Sequence, residues 1–229
     1  MNEVESLRHA DFPQVGADGV WSERLTAVDG PARPALFLDR DGVIVEEVHY
    51  LHRVADMRLC AGAATVIRRA NEQGLPVVVV TNQSGIGRGT FTWRDFAAVQ
   101  DAMLGELAAL GAYVNAVFAC PFHGSGVAPW NVPDHPDRKP APGMLTRAQT
   151  LLPLDLGRSW LVGDRAGDMG AAKRAGLAGA LHVLSGHGND AGERAEALAL
   201  ADDGFRVLTG DGVADSLDAL PLFGAVQTD

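Results

Sequence analysis

The side chains best suited to chemistry are three carboxylates, one lysine and one threonine. Asp39 and Asp41 stand two residues apart, and Asp164 lies far along the chain. Carboxylates that leave the ends of neighbouring strands can face one cation, and a site with few protein ligands suits Mg²⁺. Thr81 and Lys139 would neutralise a bound phosphoryl group. The pattern indicates phosphoryl chemistry, with Asp39 as nucleophile and Asp41 as general acid and base.

The elements that must position these residues are short apolar runs, typical of strands buried on both faces. We predict strands at 35–38, 76–80, 114–118, 160–162, 181–184 and near 205–208, and helices at 63–73, 92–110, 142–152, 168–175 and near 191–201. Alternating strands and helices indicate an α/β fold with a doubly wound parallel sheet. Ligands bind beyond the carboxyl ends of such strands, so Asp39, Thr81, Lys139 and Asp164 should meet in one crevice.

Composition limits the classes of partner. The 229 residues carry a formal net charge of −10, which argues against nucleic acid, because phosphate-backbone contacts need clustered lysines and arginines. No apolar run approaches the roughly 20 residues of a membrane helix, and the N-terminus has no apolar signal segment. Cys60 and Cys120 form no disulfide framework. We therefore expect a cytoplasmic monomer or homodimer, away from membranes, that acts on a small phosphorylated metabolite.

Four ordered segments resemble the signature motifs of the haloacid dehalogenase (HAD) superfamily. They read ALFLDRDGVIVEE, VVVVTNQSGIGRG, RKPAPGML and WLVGDRAGDM, and the likeness runs from about Ala35 to Gly186. The wording DRDG and TNQSGIGRG is closer still to the branch of heptose-bisphosphate and histidinol-phosphate phosphatases. The resemblance implies a Rossmann-like fold and a Mg²⁺-dependent phosphatase. Its substrate would be a sugar bisphosphate such as D-glycero-D-manno-heptose 1,7-bisphosphate, hydrolysed through an aspartyl-phosphate.

The resemblance also implies roles for individual residues. The catalytic positions of the branch correspond to Asp39, Asp41, Thr81 and Lys139. The Mg²⁺ ligands correspond to Asp39, Asp164 and the main-chain carbonyl of Asp41, and Asp168 is expected to support Asp164 or Lys139. Positions that contact substrate correspond to Glu47, Tyr50, Asn82, Gln83, Ser84 and Arg138.

The loop before Arg138 departs from the pattern of the branch, many of whose members hold a structural zinc there. In place of the usual cysteines and histidine stand Cys120, His123, His135 and Asp137. A mixed site is chemically possible, but we expect no zinc and a loop held by its prolines. The motif spacing leaves no room for a cap domain, so loop 120–137 and a flap at 43–53 should roof the site. Trp130 would then form an apolar wall for the substrate.

The chain divides into an N-terminal extension (1–34), a phosphatase core (35–186) and a C-terminal extension (187–229), which we expect to pack on the core. Histidinol phosphate or another small phosphoester remains an alternative substrate, because the loop departs from the family pattern. A phosphotransferase is a further alternative, since an aspartyl-phosphate can pass to an acceptor other than water. A non-catalytic sugar-phosphate-binding protein is the most distant one, because the catalytic positions are all filled.

Overall fold

A seven-stranded, mostly parallel sheet forms the centre of the protein. The structure is a computed structural model that describes residues 12–224. The strands are β1 (Trp21–Arg24), β2 (Leu36–Leu38), β3 (Val77–Asn82), β4 (Ala116–Cys120), β5 (Trp160–Gly163), β6 (Gly179–Val183) and β7 (Arg206–Gly210). Their order is β1-β4-β3-β2-β5-β6-β7, with β1 antiparallel to β4 and the other pairs parallel. This arrangement confirms the predicted α/β fold.

Helices flank the sheet. They are α1 (Ala63–Glu72), α2 (Ser84–Gly87), α3 (Trp93–Ala109), α4 (Gly143–Leu151), α5 (Ala166–Arg174), α6 (Glu193–Leu198) and α7 (Ser216–Ala219). Helix α3 begins with a capping box, in which the Thr92 hydroxyl and the Asp95 carboxylate each accept the other residue's amide. Helix α5 begins two residues before the predicted start, because Asp168 occupies its third position and accepts the Arg165 amide.

Alternate residues of a strand point to opposite faces, so the sheet separates two hydrophobic cores. In β2, Leu36 and Leu38 face the core that contains α1 and α3, while Phe37 faces the core that contains α4 and α5. All three side chains are fully buried. Burial on both faces explains why the run stays apolar until Asp39, where the chain leaves the sheet.

The N-terminal segment contributes a strand that the sequence did not predict. Strand β1 places Trp21 opposite Ala119 of β4. Trp21 is buried, with its ring 5.6 Å from that of Trp93 and 5.2 Å from that of Phe96, measured between centroids. Strand β1 reads WSER, in which Trp21 is the one apolar residue, so neither an apolar run nor an alternating pattern marks it as a strand. In the folded protein, β1 covers the otherwise open edge of β4.

The C-terminal segment continues the sheet on the opposite side. Strand β7 pairs with β6 in parallel, α6 lies within the helix predicted near 191–201, and α7 matches a last helix that the sequence predicts before Pro221. No helix within residues 12–224 is long and apolar enough to cross a membrane. The predicted extensions at 1–34 and 187–229 thus each add an edge strand through the residues that the structure describes.

Candidate active site

The carboxyl ends of β2, β3 and β5 meet at one edge of the sheet and carry polar residues into a shared crevice. Asp39 follows β2, Thr81 lies near the end of β3, and Asp164 follows β5. Strand order places them side by side, because β2 lies between β3 and β5. Lys139 enters from the segment before α4. The structure therefore brings the four predicted segments together.

Lys139 is the centre of the polar contacts. Its ammonium nitrogen lies 2.9 Å from Asp39 Oδ2 and 2.6 Å from Asp168 Oδ1, and it donates a hydrogen bond of 2.8 Å to the Val80 carbonyl. These partners match the three N–H groups of an ammonium. Burial opposes the charge, but Asp168 and Asp39 outweigh it and raise the pKa of Lys139 above its ordinary value. The side chain therefore stays charged although it is almost fully buried.

Asn82 fixes the main chain of Lys139. The Asn82 amide group donates to the Lys139 carbonyl at 3.0 Å, and its oxygen accepts from the Lys139 amide at 3.1 Å. These bonds join the end of β3 to the segment before α4. Asn82 also lines the cleft, as expected for a residue predicted to contact substrate. Its side chain therefore also has a structural role, because it holds the main chain of Lys139.

Three buried carboxylates lie together beside Lys139. One carboxylate oxygen from each of Asp39, Asp164 and Asp168 lies within 4.8 Å of the other two. Burial, partly offset by Lys139, raises the pKa of Asp39 to about 7, and burial together with Asp39 and Asp168 raises the pKa of Asp164 to about 8. Such an all-oxygen group suits a hard divalent cation. Asp168 is its least available member, because its oxygens contact Lys139 and, at 3.0 Å, the Arg165 amide.

The carboxylate of Asp41 does not belong to this group. One of its oxygens accepts hydrogen bonds from Gln83 Nε2 at 2.8 Å and Arg40 Nε at 3.1 Å, and the other lies 3.0 Å from Arg40 Nη2. The Thr81 hydroxyl is 3.5 Å away. Arg40 is itself buried against the Phe96 ring, 5.0 Å from its centroid. Metal binding through the main-chain carbonyl of Asp41 stays a prediction.

These side chains line a cleft of about 430 Å³. The cleft is also lined by the predicted substrate positions, Glu47, Tyr50, Gln83, Ser84 and Arg138. The lining residues that sequence reasoning missed include Arg88, Arg165 and His187. Arg88 and Arg165 lie inside two of the four motifs, so the motifs could have identified them as site residues. His187 had no such signal, and its amide donates to Asp164 Oδ2 at 2.7 Å.

Tyr50 lies in the flap at 43–53 and lines the cleft. Its backbone has φ 57°, a left-handed conformation that is rare for an aromatic residue. Arg88 donates a hydrogen bond to the Tyr50 hydroxyl, and the Phe91 ring lies 6.5 Å from the Tyr50 ring, measured between centroids. Contacts of this kind sustain a strained backbone at a residue that lines the cleft.

The four candidate zinc ligands do not form one group. Cys120 Sγ and His135 Nδ1 are 3.9 Å apart, but Asp137 makes hydrogen bonds of 2.8 and 3.2 Å with an arginine of α4. His123 lines the cleft, where its ring nitrogens lie 3.0 and 3.3 Å from Arg88 Nη2. The loop therefore directs His123 into the cleft beside Arg88, while Cys120 lies next to His135.

Trp130 does not line the cleft, so its interpretation as an apolar wall for substrate is wrong. The side chain is 7% exposed and belongs to the core beside α4. Its ring meets that of Phe122 edge-on, with centroids 5.1 Å apart. The loop folds the indole inward because this large apolar surface gains most from burial.

Comparison with known proteins gives a consistent result. The family model described as haloacid dehalogenase-like hydrolase matches residues 14–176, and a HAD-hydrolase-like model matches residues 137–220. The chain is 52% identical over 161 residues to the D-glycero-beta-D-manno-heptose-1,7-bisphosphate 7-phosphatase of Mesorhizobium japonicum, over 70% of this chain and 74% of the relative. It is 37% identical over 153 residues to the Escherichia coli protein of the same name, over 67% and 80%.

Solved structures agree with the sequence relatives. A HAD-like phosphatase from Mesorhizobium loti has a TM-score of 0.77 and 44% identity, covering 89% of this chain and 93% of that one. The D,D-heptose 1,7-bisphosphate phosphatase from B. bronchiseptica, complexed with magnesium and phosphate, has a TM-score of 0.66 and 30% identity, covering 81% and 96%. These likenesses confirm the resemblance predicted from the four motifs. The chain belongs to the haloacid dehalogenase-like hydrolase family.

Proposed function

We propose that this hydrolase is a Mg²⁺-dependent phosphatase that removes the 7-phosphate of D-glycero-D-manno-heptose 1,7-bisphosphate. The observation that carries the proposal is the ion pair of Lys139 with Asp39 beside a cluster of buried carboxylates. This arrangement can hold a phosphoryl group against a carboxylate nucleophile. The names of the Mesorhizobium japonicum and Escherichia coli relatives support the substrate, and the magnesium and phosphate of the B. bronchiseptica structure support the metal.

Asp39 and Asp41 carry out the two steps. A carboxylate oxygen of Asp39 attacks phosphorus, the bond from phosphorus to the sugar oxygen breaks, and Asp41 gives its proton to that oxygen. Water then attacks the aspartyl-phosphate, Asp41 takes a proton from the water, and Asp39 is released together with inorganic phosphate. Throughout, Lys139 and the Thr81 hydroxyl bind the oxygens of the phosphoryl group.

Asp39 and Asp164, with the main-chain carbonyl of Asp41, would hold Mg²⁺. The donor chemistry fits, because the set is all oxygen and the raised pKa values of Asp39 and Asp164 reflect burial and repulsion that a divalent cation would relieve. When bound, the cation supplies positive charge that reduces repulsion between the phosphoryl oxygens and the nucleophile. Asp168 supports this arrangement through its contact with Lys139.

The arginines of the cleft favour a bisphosphate over histidinol phosphate. Arg88, Arg138 and Arg165 line the same cleft as Asp39. Guanidinium groups pair well with a second phosphate, whereas they repel the ammonium group of histidinol phosphate. Histidinol phosphate is therefore the alternative substrate and heptose bisphosphate the leading one.

A substrate panel tests the proposal. Purified protein with Mg²⁺ is assayed for release of inorganic phosphate from heptose bisphosphate, histidinol phosphate and p-nitrophenyl phosphate. We expect the highest kcat/KM for heptose bisphosphate. Asp39→Asn should abolish turnover, while Asp155→Asn, at a partly exposed position outside the cleft, should leave it unchanged.

Each other outcome selects an alternative. A higher kcat/KM for histidinol phosphate would replace the substrate but keep the chemistry. Transfer of phosphate to an added alcohol at a rate above that of hydrolysis would identify a phosphotransferase. Absence of turnover for every compound in the presence of Mg²⁺ would favour the non-catalytic binding protein.

A further inference from the structure

Besides Lys139, the segment 121–142 between β4 and α4 places His123 and Arg138 in the cleft. Residues 121–142 include no helix or strand that would hold these side chains in place. The His123 amide donates to the Trp130 carbonyl at 3.0 Å, and Arg138 Nη1 donates to the Phe122 carbonyl at 3.0 Å. The positions of both cleft residues therefore depend on where Phe122 and Trp130 lie.

The aromatic rings of this segment pack against a turn in the N-terminal extension. Phe122 stacks on His135, with centroids 3.8 Å apart and planes at 3°. Gly19 lies directly against the neighbouring rings, because a Cβ there would be 2.5 Å from the Trp130 ring and 3.4 Å from the Phe122 ring. Gly19 also has φ +79°, which glycine adopts without strain. A side chain at position 19 would thus displace the indole.

A chain of ion pairs joins the same turn to the residue before Arg138. Arg147 Nη2 lies 2.8 Å from Asp18 Oδ2 and 2.8 Å from Asp137 Oδ2. Asp137 is 4% exposed, so the guanidinium of Arg147 is the counter-charge that its burial requires. Asp18 holds that guanidinium from the N-terminal side. The backbone at Arg138 is therefore linked to the N-terminal turn by two charged contacts.

The turn 16–20 is itself attached to the sheet. The Gly16 amide donates to the Val20 carbonyl at 3.0 Å, and Asp18 Oδ1 accepts the Val20 amide at 3.2 Å. The next residue, Trp21, begins β1, which pairs with β4. Strand β4 ends at Cys120, where the irregular segment starts. One pair of strands therefore carries both the turn and the segment that it touches.

We propose that the turn 16–20 is a positioning element of the active site, which sets the places of His123 and Arg138 and thereby the affinity for the second anionic group of the substrate. The inference rests on the proposed phosphatase function. Displacement of the segment should weaken binding of a bisphosphate. A small aryl phosphate should be unaffected, because its one phosphate needs only the groups around Asp39 and Lys139. Lys139 also lies in the segment, but the two Asn82 bonds to its main chain and its ion pairs with Asp39 and Asp168 hold it independently of the turn.

Gly19→Ala tests the proposal, with Gly176→Ala as its matched control. The two glycines have φ +79° and +76°, so alanine brings similar backbone strain, but a Cβ at position 176 meets nothing within 4 Å. Relief of the contact at position 19 requires the indole to move by about 1 Å, a displacement that can cost up to about 100-fold in activity. We expect KM for heptose bisphosphate to rise about tenfold in Gly19→Ala, with kcat and p-nitrophenyl phosphate kinetics within about twofold of wild type.

A milder variant keeps the test valid if Gly19→Ala fails to fold. Asp18→Asn retains the oxygen that accepts the Val20 amide but removes the charge that faces Arg147. The Asp18 and Arg147 side chains are 42% and 31% exposed, so we expect a rise in KM of about two- to fivefold. Asp155→Asn, which weakens an ion pair with Arg158 outside the segment and the cleft, should leave KM unchanged.

Amide hydrogen exchange of residues 121–138 provides a readout that needs no substrate. Exchange should be faster in Gly19→Ala than in Gly176→Ala. Equal KM and equal exchange in the two glycine variants would overturn the inference, as would a matching loss of activity toward p-nitrophenyl phosphate, which indicates general destabilisation. If wild type does not hydrolyse heptose bisphosphate, the proposed function fails, and the exchange comparison then decides by itself whether the turn holds the segment.

Discussion

Binding of Mg²⁺ should strengthen steeply between pH 6 and pH 8, because the metal displaces protons from Asp39 and Asp164. The pair titrates with pKa values of about 7 and about 8, so about one-thousandth of the molecules carry both charges at pH 6. At pH 8 the fraction with both charges rises to about one-half. The population with both carboxylates ionised therefore grows by a factor on the order of 10² to 10³, and the apparent affinity should follow it.

Isothermal titration calorimetry measures the affinity directly, without substrate. Titrations in two buffers of different ionisation enthalpy also give the number of protons released, which should be about two per Mg²⁺ at pH 6 and fewer than one at pH 8. Asp164→Asn removes one titrating ligand and should lower the release at pH 6 by about one proton. Asp155→Asn serves as the control. A dissociation constant that differs less than about threefold between the two pH values, without proton release, would refute the linkage.

The same contacts predict three other outcomes. The raised pKa values of Asp39 and Asp164 mean that the metal-free folded protein binds more protons than the unfolded chain between about pH 4 and pH 8. This contribution to stability is lost as pH rises through that window, so Tm in EDTA should be lower at pH 8 than at pH 5.5, and an unchanged Tm would contradict it. Lys139→Met leaves Asp39 and Asp168 without a counter-charge, and should lower the free energy of unfolding in urea by about 3–5 kcal/mol and kcat by on the order of 10²–10³-fold. Asn82→Ala removes both hydrogen bonds to the Lys139 main chain, and should lower the free energy of unfolding by about 1–3 kcal/mol. It should also lower kcat by a larger factor than it alters KM. An unaltered kcat would show that other contacts hold Lys139.

Most strands were predictable because they are buried on both faces. The predicted bounds of β2 to β6 agree with the structure within two residues at each end. Continuous apolar runs such as Leu36–Leu38 need no partner to be recognised, since their composition alone requires a buried strand. Strand β1 was missed because Trp21 is its only strongly apolar residue, and its burial depends on Trp93 and Phe96, which lie far away in the chain.

The sequence predicted which residues form the candidate site better than it predicted the contacts among them. The order of the motifs placed Asp39 and Asp164 at strand ends, and parallel pairing brought them together. Their distances from Lys139 and the raised pKa values depend on burial, which the sequence does not specify. His187 was missed because it contacts Asp164 through its backbone amide, a group that every residue except proline carries.

The sequence by itself determined the alternation of strands and helices and the family, because these depend on patterns that extend over a few neighbouring residues. Only the tertiary structure decided that Asp41 pairs with Arg40, that His123 lines the cleft and that Trp130 packs on Gly19. In a segment without helix or strand, the direction of each side chain depends on the part of the protein against which the segment packs. For the segment after β4, that surface is a turn about a hundred residues earlier in the chain, brought there by the pairing of β1 with β4.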